Sequence, residues 1–176
     1  MSGLSVWIAS SDPQGKDALA LLHEAAIEAR ALYPELHVEG APWPTNPPLP
    51  PRGAYLLAYL DGAPVGCGAL RPIDDLCVEV RRMYVVRAAR RTGIARAILV
   101  FLERVARDFG FEAMRLETGD RQQPAMALYE SFGFMRIAPF GVHVNDPTSV
   151  CYEKLLSSPT MTSRVVPGQS GTNDLP

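Results

Sequence analysis

The sequence predicts an α/β (α+β) fold built on one mixed sheet of six to seven strands, mostly antiparallel with a single parallel pair. Three observations carry this. Two apolar runs, 54–60 and 65–70, flank Asp61-Gly62, the strongest short-range signal of a β-hairpin. A third run, 76–86, passes through a basic, glycine-containing turn straight into a helical stripe. A further strand-like run, 113–118, follows that helix, so the strands on either side of it become parallel neighbours. With 176 residues, 47% hydrophobic and 20% charged, the chain can fill one sizeable core and needs no second domain.

Each element has a local cause. Leu4 to Ala9 is short and rich in strand formers, and Ser10-Ser11-Asp12-Pro13 then supplies turn and capping chemistry. From Gln14 to Leu32 the residues Ala18, Leu21, Leu22, Ala25, Ala26, Ala29 and Leu32 recur at helical steps, with His23 off the stripe and toward solvent. Tyr33 to Pro51 is too proline-rich for a regular helix or a central strand and reads as a long loop. Arg71 to Asp75 turn the chain into the strand at 76–86, completing an antiparallel meander of three strands. Ile94, Ile98, Leu102, Val105 and Phe109 then form a helical stripe that Gly110 caps. Pro124 and Gly133 bracket a short helix carrying Ala125, Leu128, Tyr129 and Phe132. Residues 134–138 and 148–154 complete the sheet, joined by a loop that holds Phe140, His143 and Asp146. The tail from Ser157 has few large apolar residues, so residues 4–156 are expected to form the domain and 157–176 a mobile extension.

Composition excludes several function classes. A net charge of −2 gives no general attraction to nucleic acid or to acidic membrane, which leaves the arginines at 81–96 as a local feature. Cys67, Cys77 and Cys151 lack C-x-x-C spacing and leave an odd one over, as expected of reduced thiols in a cytoplasmic protein. No apolar stretch approaches the length of a membrane span. His23, His37 and His143 are scattered, and H-E-x-x-H and G-x-S-x-G are absent, so neither a metal site nor a hydrolase is expected.

The stretch from Met83 to Glu103, MYVVRAARRTGIARAILVFLE, points to chemistry. A turn held at a helix N-terminus gathers backbone N–H groups that lack intrahelical partners, and the macrodipole adds about half a positive charge there. Arg90, Gly93 and Ala95 are spaced R-x-x-G-x-A, and Arg87, Arg90, Arg91 and Arg96 surround the turn. Gly93 permits close backbone approach, and the guanidiniums suit a diphosphate or a 3′-phosphate. Neither G-x-x-x-x-G-K-[ST] nor G-x-G-x-x-G is present.

This stretch resembles the acetyl-CoA motif of the GCN5-related N-acetyltransferase (GNAT) family over its whole length, and LYESFGF, Leu128 to Phe134, resembles the second motif of that family. The resemblance covers roughly residues 4–156. It implies the GNAT fold, with parallel strands four and five splayed and about four flanking helices. It also implies acetyl-CoA as cosubstrate, with its pantetheine arm in the gap between those strands. Met83, Tyr84 and Val85 would meet the arm through their backbone, and Arg90, Arg91, Thr92, Gly93, Ile94, Ala95 and Arg96 would meet the phosphates. A free N–H near Tyr84 or Val85 would polarise the thioester carbonyl. Tyr129 corresponds to a tyrosine that protonates the departing thiolate, and Glu79 to a carboxylate that takes the amine proton through water, with Glu117 in reserve. The family often carries Gly at the positions of Arg91 and Ala95, and an Asn before its second motif, where Gln122 or Gln123 stands here. Its variable loop between the first two helices assigns Trp43, His37 and Glu39 as candidate acceptor contacts.

The activity implied is direct acetyl transfer, in a ternary complex, to a primary amine of a small molecule or amino acid. No cysteine falls in either motif, which argues against a covalent acetyl-enzyme. A protein N-terminus or lysine is the second acceptor class. A reading from another class is an acyl-CoA-binding regulatory domain that has lost turnover, against which the presence of both Glu79 and Tyr129 speaks. Members of the family often dimerise, so a homodimer is among the expectations.

Overall fold

The computed structural model of the protein describes residues 6–156. In chain order its elements are β1 (Val6–Ser10), α1 (Lys16–Leu32), β2 (Ala54–Leu60), β3 (Ala63–Pro72), β4 (Cys77–Val85), α2 (Ile94–Asp108), β5 (Ala113–Gly119), α3 (Gln123–Ser131), β6 (Met135–Ile137) and β7 (Ser149–Leu155). They form one seven-stranded sheet of order β1-β2-β3-β4-β5-β7-β6. Only the β4–β5 pair is parallel. Each expected strand is therefore present. Among the described residues there are three α-helices instead of about four. Between α1 and β2 the chain makes one 3₁₀ turn, Pro34–Leu36, because prolines at 42, 44, 47, 48, 50 and 51 withhold the N–H donors a second helix would need. Leu4, Ser5 and the tail at 157–176 lie outside the described residues.

The two faces of the sheet are packed differently. On one, Leu56, Val78, Val80, Met114, Leu116 and Tyr152 meet Ile98, Leu99 and Leu102 of α2 and Met126 and Tyr129 of α3 in the main core. Each large aliphatic side chain buried there contributes roughly 1.5–3 kcal/mol. The helix lies close to the sheet because β3 offers glycine: a Cβ on Gly68 would stand 2.6 Å from Ile98 Cγ2. On the other face, α1 sets Ala18 and Leu21 on Tyr55, Leu57, Cys67 and Ala69.

The proline-rich loop is pinned to this second face by Asn46, only 2% exposed. Its amide nitrogen donates to the Pro13 carbonyl at 2.8 Å, and its Oδ1 accepts from Arg82 Nε at 2.8 Å. A buried amide satisfied at both ends costs little and holds the loop in one place.

Two irregularities in β4 position everything that follows. Pairing with β5 runs from Cys77↔Ala113 to Val80↔Leu116 and then stops, so the two strands part and the β5-facing edge of residues 81–85 has no strand partner. Opposite Gly68 the β3–β4 register also slips, and Arg82 takes a positive φ of 58°. This is a β-bulge, and it turns two consecutive arginines, Arg81 and Arg82, toward the face that α1 covers.

Candidate active site

The turn before α2 is shaped by two left-handed residues. Gly93, the N-cap, has φ 87° and ψ 0°, and Arg91 has φ 65°. The first α-helical bond runs from Ala97 N–H to the Gly93 carbonyl, and among the described residues no backbone carbonyl accepts from the N–H groups of residues 91–96. Six adjacent donors thus point out of the backbone at the positive end of a 15-residue helix. Position 91, where the resembled family often has glycine, is left-handed here, at a cost of about 1–2 kcal/mol for a side-chain-bearing residue.

The expected phosphate contacts are distributed differently from the side-chain pattern. Arg90 Nε donates to the Val85 carbonyl at 2.8 Å, and its Nη2 pairs with Glu28 Oε2 of α1 at 2.7 Å. Arg96 Nη2 donates to Ser131 Oγ at 2.9 Å and stacks over Phe132. Thr92 Oγ1 donates to the Ala89 carbonyl. These side chains brace the turn against β4, α1 and α3, so its capacity for an anion rests on the N–H groups, with exposed Arg87 and Arg91 alongside. Burial pushes the Glu28 carboxyl up, but hydrogen bonds from Arg90 and Tyr84 hold it below the usual carboxylate range.

Next along the gap lie Met83, Tyr84 and Val85. Their side chains serve packing: Met83 and Val85 join the main core, and Tyr84 donates its hydroxyl to Glu28 Oε1 at 2.9 Å. Their backbone edge toward β5 is unpaired. On the α1 face a cleft of about 350 Å³ opens between α1 and the sheet, bounded by Leu22, Ala25, Tyr55, Cys67, Met83 and Tyr84.

At the far side of the gap two carboxylates and a histidine converge. Glu79 of β4 and Glu117 of β5 both face the α1 side, and His143, from the 3₁₀ turn between β6 and β7, sits between them. Its Nε2 is 3.5 Å from Glu79 Oε1, and its Nδ1 is 3.9 Å from Glu117 Oε2. Glu117 also accepts from Ser149 Oγ at 2.7 Å, and Phe140 packs edge-on against the imidazole. Tyr129 is buried against Phe134 and Tyr152, and among the described residues its hydroxyl makes no hydrogen bond. Burial, and then the charge of Glu117, push its phenol well above the ordinary value, so it stays a neutral donor.

The remaining expected residues divide. Gln122 precedes α3, its carbonyl accepting from Met126 N–H, while the Gln123 amide donates to the Asp120 carbonyl. Gln122 is therefore the amide left at that helix start. Trp43 is held between His23, 4.1 Å between ring centroids, and Arg30, 3.6 Å above its ring. His37 and Glu39 are exposed on the loop, and none of these three lines the cleft. Sequence reasoning left out His143, Arg81 and Arg82. Only the strand period hinted at Arg81, two residues after Glu79, whereas His143 reaches the carboxylates by folding of a loop that carries no local signal.

Comparisons with known proteins agree with this geometry. The model of the acetyltransferase (GNAT) family matches residues 21–134. The chain is 39% identical over 93 residues to the uncharacterized N-acetyltransferase YsnE of Bacillus subtilis, covering 52% of this chain and 62% of that one. It is 41% identical over 103 residues to the IAA acetyltransferase of Azospirillum brasilense, covering 58% and 67%. The chain thus spans about three fifths to two thirds of these curated relatives. A solved Klebsiella pneumoniae structure superposes with TM-score 0.71 and 29% identity over 86% of this chain and 98% of its own. A GNAT acetyltransferase of Elizabethkingia anophelis, solved with acetyl-CoA bound, does so with TM-score 0.61 and 17% identity over 86% and 98%. Given the family match across most of the chain and a sheet that parts between its two parallel strands, this chain belongs to the acetyltransferase (GNAT) family.

Proposed function

We propose that the protein is an acetyl-CoA-dependent N-acetyltransferase that transfers the acetyl group directly to the primary amine of a small molecule. The observation that carries this is the parting of β4 and β5 after Val80 and Leu116, with bare N–H donors at one end of the gap and Glu79, Glu117 and His143 at the other. The residues suit the cosubstrate: residues 91–96 would hold its phosphates, and the open edge of Met83, Tyr84 and Val85 its amide-bearing arm. Acetyl-CoA supplies an activated acyl group, and a C–N bond forms as the C–S bond breaks.

The chain's own groups manage two protons. Glu79, through His143 or water, takes the proton that the attacking amine must lose. Tyr129, neutral and buried, gives one to the departing thiolate. Cys67 reaches the cleft beside Met83 and Cys151 pairs with Glu117, but both are buried and burial pushes their thiols above the ordinary value, so neither is a ready nucleophile and transfer is direct within a ternary complex. Among the described residues no helix is long and apolar enough to cross a membrane.

Calorimetric titration with acetyl-CoA, followed by a thiol-release screen over primary amines, tests the proposal. Binding together with amine-dependent CoA release, lowered by Tyr129→Phe, is the expected result. Binding without turnover for any acceptor would instead mark an acyl-CoA-binding regulatory domain, and no binding would refute the reading.

A further inference from the structure

The bulge in β4 leaves an electrostatic imbalance that the acetyl-transfer reading does not use. Register pairs Arg71 with Glu79 and Ala69 with Arg81 across β3 and β4, so Arg71, Glu79 and Arg81 share the α1 face, and the bulge adds Arg82 to it. These guanidiniums line a cavity of about 130 Å³ whose other walls are Pro47, Pro48, Leu49 and Tyr55, and no carboxylate lines it. Arg82 donates only to neutral groups, Asn46 Oδ1 at 2.8 Å and the Thr45 carbonyl at 3.4 Å. Arg81 has one loose contact, Nη1 to Glu79 Oε2 at 3.7 Å, and Arg71 forms no ion pair among the described residues. In a chain of net charge −2, three cations therefore gather against a single carboxylate. Arg71 is exposed and Arg81 half-exposed, so both are open to an incoming anion, while Arg82 behind them is the more buried charge, of the kind that is ordinarily compensated. Burial, and then the neighbouring Arg81, lower the Arg82 pKa, as expected where a counter-ion is lacking.

Glu79 joins this cationic cavity to the proposed transfer site. Its Oε2 faces Arg81 while its Oε1 faces His143 at 3.5 Å, so a site for an anion and a site for an amine lie on opposite sides of one carboxylate. We infer that the acceptor is an amino carboxylate, a free amino acid, whose amine approaches Glu79 and His143 while Arg81 and Arg71 hold its carboxylate and the proline-walled cavity takes an apolar side chain. This rests on the acetyltransferase reading and narrows it. A diamine would bring a second cation against the arginines, and a peptide N-terminus has no carboxylate at that distance.

The test compares CoA release from acetyl-CoA for matched sets such as leucine, leucinamide and isoamylamine, extended to other apolar amino acids. The amino acid is expected to exceed its amide and its amine in kcat/KM by about tenfold or more, as sites built to bind a charged group discriminate. Arg81→Met and Arg71→Met should each raise KM for the amino acid about tenfold while leaving KM for acetyl-CoA and for the amide within about twofold, and Arg81→Lys should restore part of the loss. Circular dichroism checks that the variants fold. Amides or plain amines used as well as amino acids would overturn the inference and leave the acetyltransferase reading intact. If no acceptor turns over, titration of the same amino acids into CoA-saturated protein decides: binding lost in Arg81→Met upholds the carboxylate site and counts against turnover, and no binding overturns the inference.

Discussion

The turn at 91–96 is made by six consecutive residues, whereas the cluster of Glu79, Glu117 and His143 draws on β4, β5 and the loop after β6. The first is a site of backbone: its donors are N–H groups, its shape is set by φ at Arg91 and Gly93, and the side chains of Arg90 and Arg96 brace it from outside. The second is a site of side chains, carried by ordinary strand and loop backbone. A backbone site tolerates changed side chains but not changed dihedrals, and a side-chain site behaves in the opposite way. The difference is open to experiment from both ends.

The largest effect should come from deleting the side-chain site. Glu79→Gln is expected to lower kcat by about 10²–10⁴, the range of general-base catalysis, with KM for acetyl-CoA little changed. His143→Ala should follow it in direction, and steady-state rates at saturating acetyl-CoA check both. If Glu117→Gln costs more than Glu79→Gln, the base has been assigned to the wrong strand.

Breaking the backbone site should act on binding. Gly93 has open space around a hypothetical Cβ, so Gly93→Val harms only through φ, and acetyl-CoA affinity is expected to fall about tenfold or more as the turn rearranges. Arg90→Ala, which leaves the N–H groups in place, should weaken binding less than Gly93→Val in the same titration. Packing behind the site is tested by Gly68→Ala. Its Cβ would meet Ile98, Met83 and Leu102 at 3.0 Å or less, and overpacking should cost about 1–3 kcal/mol in denaturant unfolding.

Acid should loosen the brace between α1 and the turn. The folded Glu28 carboxyl is held below its ordinary value of 4.5, so its stabilising contribution is present above that pH and lost as pH falls through the lowered value. Unfolding curves of the native protein and Glu28→Gln should therefore differ at pH 6 and converge in acid. The smallest effect is expected from Arg91→Gly, which removes left-handed strain and should stabilise the fold by about 1 kcal/mol without weakening acetyl-CoA binding.

These contrasts follow how legible each part was. The strand–turn–helix around Gly93 could be read because its periodicity, its glycine and its helix start all lie within a short span. The expected Arg90 and Arg96 contacts were less readable, since whether a guanidinium faces a ligand or a neighbour depends on α1 and α3, elements distant in sequence. Asn46 looked like one more loop residue, yet it holds the loop by reaching Pro13 and Arg82.

By itself the sequence determined the hairpin at Asp61-Gly62, the helical stripes, the parallel β4–β5 pair and the glycine turn that starts α2, because each follows from local sterics, periodicity or chain connection. Only the tertiary structure decided where β4 and β5 part, that Arg82 bulges, and that His143 reaches Glu79 and Glu117. Those features arise where strand register and loop closure bring together residues far apart in sequence, and no local pattern specifies such meetings.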